Sequence, residues 1–358
     1  MNTIRIATTI TTLGLVGMMM AGCASGASTA SVPNDAADVT ELRLGYFANV
    51  THAPALVGLQ EGFFQDALGD VDVTTSVFNA GPAAIEALTA GAIDATYIGP
   101  NPSINTFIQS GGQSAHIIAG AATGGAALVV ADGIDSPEDL AGTTLASPQL
   151  GNTQDVALRV WLADQGYETD TSGGGDVNIT PTENAQTLTL FQNGDIDGAW
   201  LPEPWVSRLI VDAGAHVLQD EADLWPDGEF PTTVLLVRAE FLDQHPDLVA
   251  ELLQGHIESV DWIAEHPDEA PAVINDAIEA ETGKPLADEV ITRALEHVTF
   301  SVDPHADTFE TLVSNGLEAG TQKDGSIDGL FDLRILNGLL EDAGEAPVSA
   351  AGLGEDTP

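Results

Sequence analysis

Small neutral hydrogen-bonding residues gather in this chain wherever an apolar, helix-like run begins. Asn49, Thr51 and His52 precede the run from Ala53, Asn79 and Gly81 precede Pro82, and Gly99 and Asn101 flank Pro100. Thr123 stands before a Gly-Gly pair, and Gln149, Asn152, Thr153 and Gln154 lead into VALRVWL. Helix starts leave backbone N–H groups unpaired and carry the positive end of the helix dipole, so such places favour an anion or an electronegative group. The same residue types are ordinary caps and turns. It is their recurrence in two halves of the chain that points to a binding cleft. The segment Leu201-Pro202-Glu203-Pro204-Trp205, with Trp200 before it, adds two aromatic rings around one carboxylate. Trp205 is expected on a cleft wall over the apolar part of a ligand, whereas Trp200 fits a wall or a core equally. Glu203 repels an anion, so it is expected either to hold a donor from the facing lobe or, as Asp155 could, to partner a cationic part of the ligand.

Reactive chemistry finds no arrangement to carry it. The eight histidines are scattered without H-E-x-x-H or Cys/His spacing, and no G-x-S-x-G, P-loop or G-x-G-x-x-G occurs. Catalytic residues, metal ligands and cofactors are therefore expected to be none. His52 reads as a donor to ligand or a cap.

The elements that would position these residues are written twice. Offsetting the chain by 103 places Gly91 on Gly194, Asp94 on Asp197, Tyr97 on Trp200 and Gly111 on Gly214, and also Asn49 on Asn152. Each copy runs from an apolar helix through a glycine into an I-D strand, then a proline-bearing turn and another helix. Strands alternating with helices specify mainly parallel sheets covered on both faces, with ligands at the strand ends. The expected class is α/β with two lobes. Residues 40–131 and 233–345, the latter largely helical, form lobe one; residues 132–232 form lobe two. The first crossing is expected near Asp132–Leu140 and the return near Thr232–Val237; residues 346–358 are expected to be a disordered tail.

Residues 1–23 read as a leader: Arg5, the apolar stretch Ile6 to Met20, then Met20-Ala21-Gly22-Cys23 ending in the only cysteine. It resembles a bacterial lipobox, which makes Cys23 the lipidated first residue of an extracytoplasmic protein held at the outer face of the membrane. Residues 24–39, rich in Ala, Ser and Thr, read as a flexible tether. The chain carries 55 acidic against 9 basic side chains, a net charge of −46. Such a surface excludes nucleic acid as a partner and argues against anionic lipid headgroups. A composition 44% hydrophobic supports a folded core, so the acid is a solvated surface whose self-repulsion salt screens. Loss of Arg5 with the leader leaves eight cations, none expected in a cleft-facing turn, Arg208 being nearest.

The lipobox, GYFANVTHAPALVGLQEGFF, NAGPAAIEAL, GAIDATYIGPNP, SPQLGNTQDVALRVWL and DIDGAWLPEPW together resemble the nitrate, aliphatic sulfonate and taurine branch of solute-binding proteins for ABC transporters. The resemblance spans about Leu42 to Leu340. It implies a type II periplasmic-binding-protein fold, a monomer that closes on a small anionic or zwitterionic solute and hands it to a permease and its ATPase. The opening segment and the LPEPW turn are most similar to members assigned to sulfonates; taurine, nitrate and thiamine-pyrimidine precursors are the alternatives within the branch. A surface sensor and an extracellular hydrolase are the alternatives outside transport. The enzyme offshoot of the branch carries a Cys-rich motif, and no cysteine follows residue 23 here.

Overall fold

The structure, a computed structural model, describes residues 39–358; the leader, Cys23 and nearly all of the tether lie outside the described residues. Among the described residues no helix is long and apolar enough to cross a membrane.

The chain opens with β1 (Glu41–Tyr46), α1 (Ala53–Gln60), α2 (Phe63–Leu68), β2 (Asp72–Val77), α3 (Gly81–Thr89), β3 (Ala95–Ile98), α4 (Pro100–Ser110) and β4 (Ala115–Gly124). β5 (Ala126–Val130) starts a second body with β6 (Thr144–Ser147), α5 (Thr153–Asp164), β7 (Asn178–Pro181), α6 (Asn184–Asn193), β8 (Gly198–Pro202), α7 (Trp205–Ala213) and β9 (His216–Asp220). The strand β10 (Pro231–Arg238) returns to the first body. There follow α8 (Ala239–Gln244), α9 (Pro246–Glu265), α10 (Ala270–Thr282), α11 (Asp288–Glu296), β11 (Val298–Phe300), α12 (Phe309–Glu318), β12 (Phe331–Asp332), α13 (Arg334–Ala343) and β13 (Gly354–Glu355).

Two sheets result. One runs β13-β12-β4-β10-β3-β1-β2, with β11 also on β4; the other runs β7-β6-β8-β5-β9. The segment β2-β1-β3-β10-β4 of the first matches β7-β6-β8-β5-β9 of the second position for position. In each, three strands are parallel and the fourth, contributed by the chain as it crosses from the other lobe, is antiparallel. The sequence repeat has a structural cause at Asp94 and Asp197. Each aspartate sends its N–H to a carbonyl of the neighbouring first strand, Arg43 or Thr144, at 2.8 Å, and takes that residue's N–H on its carboxylate. The I-D pair is thus a clamp that sets the register of the two parallel strands.

The position of the first crossing corrects the sequence expectation. Ala126–Val130, expected in lobe one, pairs with β8 and β9 in the second sheet. The chain therefore changes lobes at Gly124-Gly125, not at Asp132–Leu140. Both glycines have left-handed φ, 74° and 69°, which a β-branched continuation of the strand could not adopt. Residues 137–140 instead form a short turn capped by Ser136 and Asp139. The C-terminal residues are ordered: Gly354–Glu355 pairs in parallel with Phe331–Asp332, and Ala350 and Leu353 are buried. Two apolar anchors hold this polar segment onto the edge of the sheet.

Alternation along the strands decides where the large side chains go. In lobe two, Val129, Ala199 and Leu201 pack on one face under α7, while Leu128, Val130 and Trp200 pack on the other against Trp161. Tyr97, the counterpart of Trp200, is likewise fully buried. Both rings keep their polar tips paired, Tyr97 Oη with His256 Nδ1 at 2.8 Å and Trp200 Nε1 with Glu221 at 2.7 Å.

Candidate functional site

Helix starts from both lobes meet across a narrow inner cavity. Lobe one supplies Phe47, Asn49, Thr51, His52, Asn79 and Gly99; lobe two supplies Asn152, Gln154, Asn184 and Pro202; the returning strand supplies Thr232. No charged side chain lines it. The lining offers four asparagine amides, a glutamine amide, two hydroxyls and a histidine, beside the N-termini of α1, α3, α4, α5 and α6. Such a wall has the oriented dipoles to hold an anion without a formal positive charge.

His52 adds a defined donor. It is buried and stacks on Phe47, with ring centroids 4.3 Å apart, and its Nδ1 accepts the Phe47 N–H at 3.3 Å. Burial pushes its pKa down to about 3, so the ring is neutral at pH 7 and its single proton sits on Nε2. The turn that carries Asn152 is fixed by Asp155, which accepts from Ser147 Oγ and the Gly151 N–H and takes two bonds from Arg159. Asp155 is therefore fully occupied and has no lone pair directed at a ligand cation.

The lobes touch through the same residues. Asn152 Oδ1 accepts the Gly81 N–H at 3.2 Å, and Asn49 Oδ1 accepts from Trp205 Nε1 at 2.9 Å. The Thr153 hydroxyl lies against the backbone of Gly99, where an added Cβ would come within 2.5 Å of it. The enclosed volume is ≈ 20 Å³, and one water needs roughly 10–15 Å³. While these contacts hold, the cavity has room for little more than one water. A second, open groove of ≈ 530 Å³ shares Asn49, Asn79 and Asn184 with the inner cavity and continues outward past Trp205.

Of the residues singled out in the sequence, Asn49, Thr51, His52, Asn79, Gly99, Asn152 and Gln154 line the inner cavity. Gly81 and Thr153 lie at the lobe contact, and Trp205 walls the outer groove. Others point away. Asn101 is buried with its Nδ2 toward the Leu312 carbonyl, because it sits on the face of α4 that packs on α12. Thr123 bonds to the Thr299 carbonyl on β11, and Gln149 contributes only its carbonyl to the turn before Asn152. Trp200 is a core residue. Glu203 is 1% exposed and caps its own helix, accepting from Ser207 N and Oγ at 3.0 and 2.9 Å. Burial raises its pKa to about 7, and it faces Arg293 of α11 and His297 just past that helix rather than the inner cavity.

Two features escaped the sequence. Asn184 lines the inner cavity with a buried, unpaired Oδ1. The 103-residue offset that pairs Asn49 with Asn152 also places Asn184 on Gly81, each the first residue of its helix, and extending it would have found the position. Arg208 and Lys284 both line the outer groove, although no cation was expected to face the cleft.

Comparison with known proteins agrees with this architecture. A putative aliphatic sulfonates-binding protein of Bacillus subtilis is 28% identical over 270 residues, 72% of this chain and 74% of its own length. The taurine-binding periplasmic protein of Escherichia coli is 27% identical over 215 residues, 60% of this chain and 64% of its own. Among solved structures, the alkanesulfonate-binding protein SsuA of Xanthomonas axonopodis pv. citri bound to MOPS superposes with a TM-score of 0.65 at 20% identity, over 80% of this chain and 95% of that one. The fold is that of the periplasmic binding proteins, and the match of residues 35–278 to the family's sequence model shows that the chain belongs to the NMT1-like family.

Proposed function

We propose that this protein is the extracytoplasmic solute-binding component of an ABC importer, lipid-anchored through Cys23, and that it carries an aliphatic sulfonate to the permease. The observation behind the ligand class is the pairing of two joined spaces: a neutral, amide-lined inner cavity and an outer groove with apolar walls that share Asn49, Asn79 and Asn184. A sulfonate headgroup takes bonds from helix-start N–H groups, asparagine amides and His52 Nε2, and its alkyl chain runs outward past Trp205. Hydrogen bonds to a charged acceptor contribute about 1.5–3 kcal/mol each, so three or four support micromolar binding after the costs of association.

Nitrate or bicarbonate would occupy only the inner cavity and leave the groove without a role. Taurine would bring an ammonium near the headgroup, where Asp155 is saturated and Glu203 faces elsewhere. The names of the relatives, which are binding proteins, support binding without turnover. Calorimetric titration with alkanesulfonates of two to six carbons, taurine, nitrate and bicarbonate tests the assignment. The expected order places the longer alkanesulfonates first, with recovery of unaltered ligand. Preference for nitrate or bicarbonate, or no binding of any sulfonate, would refute it.

A further inference from the structure

The outer groove holds two of the cations that the rest of the molecule leaves without a tight ion pair. Among the described residues Arg43 and Arg238 are spent on Asp94, Arg159 on Asp155 and Arg334 on Asp332, and Arg293 binds His297. Arg293, Lys284 and Lys323 make no ion pair with a carboxylate among the described residues and Arg208 makes only a long one, and two of these four line one groove in a chain of net charge −46.

Their setting suits a ligand. Arg208 comes from lobe two and lies over the Trp205 ring, its Cζ 4.7 Å from the ring centroid, with only a 3.5 Å contact to Asp212. Lys284 comes from the connection between α10 and α11 of lobe one and makes no ion pair among the described residues. Between them the wall is apolar, with Val77, Phe78, Ile278, Leu286 and Val290. Three carboxylates also border the groove. Glu281 is engaged by Tyr46 Oη at 2.9 Å, Asp212 leans on Arg208, and Glu183 is exposed at the rim.

We propose that this groove is a second-anion subsite, in which Arg208 and Lys284 hold the distal carboxylate of an ω-sulfoalkanoate whose sulfonate occupies the inner cavity. The inference rests on the sulfonate reading of the inner cavity. Because the two cations come from opposite lobes, a ligand bridging them also holds the lobes together. An apolar wall strengthens each pairing relative to open solvent.

The test is calorimetric titration of the full chain, and of its Arg208→Gln and Lys284→Gln variants, with ω-sulfoalkanoates, ω-aminoalkanesulfonates and plain alkanesulfonates of three to five carbons. The expected result is a preference of roughly three- to tenfold for the sulfoalkanoate over the plain sulfonate of equal length. Each variant should reduce that ratio toward one, and added salt should do the same. Equal or weaker binding of the sulfoalkanoate, preference for the amino compound, or a ratio unmoved in both variants would overturn the subsite while leaving the sulfonate reading intact. Failure of all three ligand series to bind would overturn both.

Discussion

Asn49 and Trp205, on opposite lobes, are joined by a 2.9 Å hydrogen bond from the indole Nε1 to the amide Oδ1. Its counterpart is the 3.2 Å bond from the Gly81 N–H to Asn152 Oδ1. Asn49 and Asn152 are equivalent in the repeat, so each lobe offers the same asparagine and receives a donor from the other. The contact between the lobes therefore uses two equivalent asparagines as acceptors, with donors of different kinds.

Trp205→Phe keeps the ring as a groove wall and removes the N–H. The expected outcome is a loss of about 1 kcal/mol in alkanesulfonate affinity, near fivefold, with little change in the unfolding temperature of the ligand-free protein. Affinity that stays level in calorimetry would remove this bond from the closing mechanism.

Gly99→Ala places a Cβ within 2.5 Å of the Thr153 hydroxyl at the tightest approach of the lobes. Backbone strain is not the issue, since Gly99 has an extended φ of −70°. The added methyl should wedge the lobes apart, lowering affinity by about tenfold or more. Small-angle scattering at saturating ligand should show a radius of gyration larger than that of the liganded parent; an unchanged radius would contradict the wedge.

Glu203→Ala removes a cap from α7 and should destabilise the fold by about 0.5–2 kcal/mol. Because Glu203 faces α11, affinities for taurine and for ethanesulfonate should move together or not at all. A selective loss of taurine binding would show that the carboxylate reaches a ligand cation after all.

Glu221 is buried beneath Trp200, and burial raises its pKa from 4.5 to about 7. A carboxyl whose folded pKa lies above its unfolded value contributes stability at low pH and loses it as pH rises from about 4.5 to 7. Glu221→Gln lacks that slope. Relative to the parent it should gain on the order of 2 kcal/mol between pH 5 and pH 8 in denaturant unfolding. A difference that stays constant over this range would mean the carboxyl ionises as easily folded as unfolded.

The scaffold was legible where local chemistry repeats. Gly111 and Gly214 end their helices as left-handed caps, and Asp94 and Asp197 clamp their strands, so the offset of 103 marked real equivalences. The crossing at Gly124-Gly125 was not legible. A short apolar run after two glycines looks the same whether it folds back or joins another sheet, and the partner strands β8 and β9 lie some 70 or more residues on. Side-chain direction was the other limit. Asn101 and Asn152 both stand at helix starts, yet one turns to α12 and the other to the cavity, a choice made by packing rather than by residue type. The tail was misread because two buried residues, Ala350 and Leu353, suffice to hold a segment of thirteen with few large apolar side chains.

The central claim is that an anionic headgroup is held in a cavity of neutral donors. Asn184→Asp tests it most directly, since it keeps the shape of a cavity-lining side chain and adds one negative charge. Calorimetric titration with pentanesulfonate at pH 7.5 should show affinity reduced by about a hundredfold or more in this variant, with the fold retained by circular dichroism. Binding as tight as in the parent would place the headgroup elsewhere and contradict the account.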